Sequence, residues 1–198
     1  MAIDLMIMPL SRYWTGDFVT PAMRECWAQG LPYAIVTPGE PLRHLPPGIP
    51  FGGADAPSQR AASLPLLLEN LQQLPFNIPA RLWDEASSSE PRFHRVDPMS
   101  LEALQAEAHR HLEKRPSSLG RLFGRASYSS HLLNASLFLP APFSEVFVTA
   151  DIPTGSLHTL RTELGSRSWS QPCQAALSSW LGAIRDAFAL RLPLIVDM

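Results

Sequence analysis

An α/β fold, a small mixed sheet flanked by helices, is what the sequence predicts, and three observations predict it. Four short apolar runs, Ile3–Met8, Tyr33–Thr37, Val146–Thr149 and Leu194–Val196, have the length and content of buried strands. Two longer segments, 98–114 and 172–190, repeat apolar residues at three- and four-residue steps, the period of a helix with one buried face. Strand, short helix and strand follow one another up to Thr37, the pattern of a βαβ unit with a parallel, right-handed pair. An α+β arrangement, with an antiparallel sheet and helices on one face, is the alternative these elements allow.

Taken in order, Ile3–Met8 is apolar almost throughout, as in a strand covered on both faces, and Pro9 ends it. Ser11–Val19 follows as an aromatic-rich connection. Thr20 then suits a helix N-cap and Pro21 the first helical position, where a missing N–H costs nothing; Met23, Cys26 and Trp27 share a face and Gly30 stops the helix. After Tyr33–Thr37 comes an irregular stretch, 38–62, rich in proline and glycine, whose Leu42, Leu45, Ile49 and Phe51 point to packing on the body. Leu64–Leu74 reads as a helix starting near Ser63 and Pro65, with Leu64, Leu67, Leu68 and Leu71 in a stripe. Phe93–Val96 reads as a short strand.

The clearest helix is 98–114. Asp97 caps it, Pro98 sits in its first turn, Glu102 lies where the helix dipole favours negative charge, and Leu101, Leu104, Ala108 and Leu112 mark the buried face. A short helix over Tyr128–Ala135 and the strand at Val146–Thr149 follow. Ser156 caps a helix through Leu160 and Leu164 that Gly165 stops. Pro172 opens the last helix, with Leu177, Leu181, Ile184 and Phe188 on one face, and Leu194–Val196 closes the sheet.

A chain of 198 residues suits one domain, 1–198, with a weak boundary near 87–91 beside the Ser87-Ser88-Ser89 run. A formal net charge of −2 offers no field for nucleic acid or anionic lipid, and no apolar run approaches the ~18 residues needed to span a bilayer. Met1–Leu10 lacks the basic start and cleavage pattern of a signal peptide, and Cys26 and Cys173 are too few and too far apart for a disulfide framework or a thiolate zinc site. The expectation is a cytoplasmic protein with structural free thiols, no cofactor and no metal. Lysine chemistry would fall to Lys114, the only lysine.

Candidate chemistry is sparse. His109 and His111 are two residues apart on a helix, about 200° around its axis, and cannot share a metal; both suit a solvated face. His94 suits a surface strand position, with pairing to a carboxylate as the other reading. Thr154-Gly155-Ser156-Leu157-His158 lacks the Gly-x-Ser-x-Gly pattern of a nucleophile elbow, so Ser156 is read as a cap. No catalytic residue is assigned. Gly120-Arg121-Leu122-Phe123-Gly124-Arg125, with Arg115, has the backbone freedom and guanidinium groups of an anion clamp, although it lacks a P-loop ending. Tyr13, Trp14, Asp17 and Phe18, joined by Phe51 of Phe51-Gly52-Gly53, place aromatic rings on loops, where binding surfaces concentrate them.

Two functional expectations follow. The first is a non-catalytic interaction protein, of the immunity or accessory-factor type, that docks on one protein partner through Tyr13, Trp14, Asp17, Phe18 and Phe51; a homodimer is left open. The second is an enzyme for a small phosphate-type ligand that uses Arg115, Arg121 and Arg125 as its anion clamp.

Overall fold

In the computed structural model, which describes residues 3–36, 39, 41–72, 83–113, 130–149 and 151–197, the first apolar run forms β1 (Ile3–Ile7). It lies inside a six-stranded sheet with β4 (Arg92–Val96), β5 (Leu137–Leu139), β6 (Phe147–Thr149), β7 (Ile152–Ser156) and β8 (Leu194–Asp197), in the order β4-β1-β8-β5-β7-β6. The sheet is mixed: β5 and β7 are parallel, whereas β1–β8, β5–β8 and β6–β7 are antiparallel. The fold is therefore a mixed α/β fold, as the alternation of strand and helix patterns predicts.

The expected parallel pair of Ile3–Met8 with Tyr33–Thr37 does not form. β1 has β4 on one edge and β8 on the other, the latter in register from Asp4↔Asp197 to Ile7↔Leu194. The second strand, β2 (Tyr33–Ile35), instead pairs antiparallel with β3 (Arg43–Leu45) in a separate two-stranded sheet. Both edges of β1 being taken, β2 finds its hydrogen bonds in the nearest chain segment.

The chain divides into two units, and each is described by itself. A sheet unit comprises Met1–Ile7 and His94–Met198, and an inserted unit comprises Met8–Phe93. In the sheet unit, alternation along the strands sets the core: Leu5 and Ile7 of β1, Phe138 of β5 and Leu194 of β8 face one way and are buried. The residues between them, Met6, Leu137, Leu139 and Ile195, face the other way and are buried too, as a strand without polar alternation requires. Against the first face pack α4 (Pro98–Glu113), α5 (His131–Asn134), α6 (Leu157–Gly165) and α7 (Gln174–Leu190). α4 begins as expected, the Asp97 carboxylate accepting from Ser100 N at 2.9 Å, and Leu101, Leu104 and Ala108 are buried. α6 follows β7 without a break and is capped by Ser156 Oγ, which accepts from Thr159 N. On α7 the expected stripe is shifted: Ala176, Trp180, Ala183, Ile184 and Ala187 are buried, while Leu181 is exposed. Small alanines let the helix approach, and Trp180 meets Phe138 edge-on at 5.7 Å.

In the inserted unit, Ser11–Val19 is more than a connection, because α1 (Leu10–Thr15) occupies its first half. α2 (Pro21–Ala28) keeps the predicted cap, Thr20 Oγ1 accepting from Met23 N at 3.2 Å, with Met23 buried. α3 spans Ala56–Gln72, starting a full two turns before Ser63. Pro57 lies in its first turn, where the missing N–H is harmless, and Pro65 is accommodated on the exposed side. Of the expected leucine stripe Leu67 is buried and Leu68 exposed.

Candidate functional site

Around α1, residues from five parts of the inserted unit meet. Pro9 precedes α1 and offers no side-chain cap, so the first amides of the helix need an acceptor from elsewhere. Glu85 supplies it. Its carboxylate is buried and accepts from Leu10 N at 3.0 Å, Ser11 N at 2.8 Å and Trp83 Nε1 at 2.6 Å. Its carbonyl oxygen accepts from Ser11 Oγ and from Arg60. Arg60 of α3 ties the pieces together, donating to Ser11 Oγ, to the carbonyls of Glu85 and Ser87, and to Asp17 Oδ2 at 3.3 Å.

α1 ends at Gly16, which has φ +69 and touches Gly52 backbone to backbone. A β-carbon on Gly52 would lie 2.1 Å from Thr15 O, so this crossing admits no side chain at either glycine. Gly52 N donates to Gly16 O and Phe51 N to Phe18 O, both at 2.9 Å. Phe18 is thereby clamped in a stack, 5.4 Å from Phe51 and 6.5 Å from Tyr13, with Phe93 tilted against it at 6.5 Å.

Of the aromatic group that the sequence singles out, Trp14 is the exposed member, at 41%. Phe18 is 6% exposed and Tyr13 and Phe51 are half-buried; Tyr13 of α1 stacks on Phe18, and Phe18 on Phe51, while Trp14 of the same helix is exposed. Asp17 is half-buried and bound to Arg60. The structure brings all five residues together. Arg115, Arg121 and Arg125 lie outside the described residues.

A cavity of about 330 Å³ opens beside this network, lined by Arg12, Asp17, Arg24 and Glu90, with Phe18 and Pro50 among its apolar walls. Arg24 is paired with Glu90 across it. Arg12 is held differently. Its side chain is 17% exposed, and among the described residues its nearest carboxylate oxygen is Asp17 Oδ2 at 3.9 Å and its buried Nε has no hydrogen-bond partner. Burial, and then the neighbouring Arg60 charge, push the Arg12 guanidinium below its ordinary value. Sequence reasoning missed Arg12, Arg24, Arg60 and Glu85. Arg12 beside Tyr13 and Trp14 was the available signal; the role of Glu85 depends on contacts more than seventy positions away.

The sheet unit places the other candidates. His94 is not an unpaired strand residue: its Nε2 lies 3.0 Å from Asp186 Oδ2 of α7, and Gly182 makes room for the ring. His109 is exposed, but His111 is half-buried, 3.6 Å from Glu107 and edge-on to Trp169. Ser156 Oγ donates to Ala141 O at 2.6 Å while capping α6, which engages the hydroxyl on both sides. Cys26 and Cys173 are both free thiols; Cys173 is buried, and burial pushes its thiol up, away from a reactive thiolate. Among the described residues no group of three or more His, Cys, Asp or Glu side chains is arranged to hold a metal ion, and no helix is long and apolar enough to cross a membrane.

Compared with known protein families, curated proteins and solved structures, the chain matches none of them.

Proposed function

We propose that this is a non-catalytic interaction protein of the immunity or accessory-factor type, which docks on one protein partner through the Trp14 face of the inserted unit. The observation that carries the reading is the mounting of Trp14. An exposed indole stands on a helix of six residues whose start is pinned by Glu85 and whose end is locked by the Gly16–Gly52 crossing. A short helix held at both ends presents its side chain with little ordering left to lose on binding, and tryptophan is the residue most enriched at interface hot spots. Among the described residues, exposed large apolar side chains also favour this unit: Trp14, Leu31, Val36, Leu42, Leu66 and Leu68 belong to it, against Met99, Val148 and Leu181 in the sheet unit. The two free thiols suit a reducing compartment, and the cytoplasm is the site we propose.

The test is purification of the full chain with its partner from the source cells, compared with Trp14→Ala. The reading expects one stoichiometric protein whose affinity falls by about tenfold or more in the variant, equivalent to ~1.4 kcal/mol or more. The fold should be retained, read from an unchanged circular-dichroism spectrum, although the melting temperature falls somewhat because part of the indole is covered. An equal yield of the same partner with Trp14→Ala would remove the indole from the interface and with it the reading.

A further inference from the structure

We infer that the cavity beside Arg12 is a binding site for a small monocarboxylate with an apolar body. Charge and hydrogen bonding around the cavity point to that chemistry together. Three guanidinium groups are close: Arg24 is paired with Glu90, Arg60 holds Asp17 and two backbone carbonyls, and Arg12 remains. Arg12 shares Asp17 Oδ2 with Arg60 but stays beyond hydrogen-bond distance from it, at 3.9 Å against 3.3 Å. The Glu85 carboxylate does not alter this balance, because its oxygens are taken by two helix amides and an indole. Among the described residues, Arg12 is therefore left without a hydrogen-bonded counter-charge.

Its Nε is closed off from solvent and unpartnered among the described residues, so a ligand in the cavity that Arg12 lines would meet the outer, terminal end of the guanidinium. A carboxylate matches a guanidinium in shape, taking two parallel N–H bonds. Two further features narrow the class. Asp17 and Glu90 line the same space and oppose a second negative charge, which disfavours a phosphate dianion. Phe18 and Pro50 form an apolar wall, which favours a hydrocarbon or aromatic body behind the head group, and the volume of about 330 Å³ is at the small end of ligand cavities. This inference is independent of docking through Trp14, since Trp14 does not line the cavity.

The experiment is a calorimetric and NMR titration of the full chain with benzoate, 3-phenylpropionate, benzamide and inorganic phosphate, repeated on Arg12→Gln and Arg12→Lys. The expected result is saturable one-to-one binding of at least one of the two acids. Benzamide and phosphate should bind at least about tenfold more weakly, as the loss of one charge-assisted bidentate contact implies. Arg12→Gln should abolish the difference between benzoate and benzamide, and Arg12→Lys should restore part of it. No saturable binding of either acid, equal binding of benzoate and benzamide by the unaltered chain, or tighter binding of phosphate would each overturn the inference. The comparison on the unaltered chain stands even if Arg12→Gln does not fold.

Discussion

α1 and α5 are the two shortest α-helices described, one in each unit, and both are held by the same device. Isolated segments of this length do not hold themselves, because nucleation costs more than one turn of hydrogen bonds returns. Each therefore begins on a buried glutamate from a distant part of its unit. Glu85 receives Leu10 N and Ser11 N of α1; Glu163 receives His131 N and Leu132 N of α5, together with Ser130 Oγ. The surroundings differ. Beside α5 the network continues through His131, whose Nδ1 accepts from Ser156 N and whose Nε2 donates to Ser144 O, which sets the ring as the Nε2–H tautomer. Beside α1 it continues through Arg60 to Asp17 and stops short of Arg12, whose guanidinium has no hydrogen bond among the described residues. The same cap is thus built into a closed network in one unit and an open one in the other. The docking face and the carboxylate site proposed above both lie in the unit with the open one.

Breaking this comparison starts where the effect should be largest. Gly52→Ala would place a β-carbon against Thr15 O and the Gly16 backbone, which cannot step aside, whereas Gly155→Ala beside α5 would press on the side chains of Ala135 and His131 at 2.9 and 3.0 Å. Denaturant unfolding should show a loss of about 3 kcal/mol or more for Gly52→Ala and about 1–2 kcal/mol for Gly155→Ala. Equal losses would mean that the glycine crossing is not the rigid point of the inserted unit.

The caps come next. Glu85→Ala and Glu163→Ala should each cost about 2–3 kcal/mol, the penalty for stranding buried donors. Hydrogen exchange locates the damage: amides of α1 should open faster in the first variant and those of α5 in the second. Unchanged protection of α1 in Glu85→Ala would show that the helix is held by something other than its cap.

The smallest effect concerns a third glutamate, nearer the surface. Glu107 accepts from Ser170 N, Ser170 Oγ and Cys173 Sγ, just ahead of α7. The Ser170 hydroxyl above all holds its carboxyl below the usual value of 4.5. A carboxylate depressed in the folded state stabilises the protein above its unfolded pKa, and that contribution is lost as pH falls through the folded value. Glu107→Gln should therefore lower stability near neutral pH and flatten its decline below about pH 4.5, read from melting temperatures across an acid series. A decline as steep as in the unaltered chain would assign the acid sensitivity to other carboxylates.

Strands and helices governed by local chemistry were readable in the sequence. Asp97, Thr20 and Ser156 announce their helices because a cap and the amide it receives are three residues apart, and β1 and β8 show themselves as short runs that are apolar but for Asp4 and Asp197. What was not readable depends on distant partners. Nothing near Leu10 signals a helix, since its cap is Glu85; nothing near Tyr33 tells that β1 already has two neighbours. The site followed the same division. The aromatic cluster could be named from sequence, but that Phe18 supports and Trp14 presents depends on the backbone crossing at Gly52, and the open valence of Arg12 depends on Arg60 claiming Asp17 first.

The position of β8 between β1 and β5 also imposes an order of events on a chain made from one end. Among the described strands β1 is synthesised first, yet one of its partners is residues 194–197, so the central pairing of the sheet has to wait until those residues leave the ribosome. The inserted unit, contiguous from Met8 to Phe93, has no such wait. Nascent chains halted before residue 194 should thus carry a formed Arg12 cavity while the edge of β1 that β8 takes is still open, a stage at which a chaperone has a strand edge to shield.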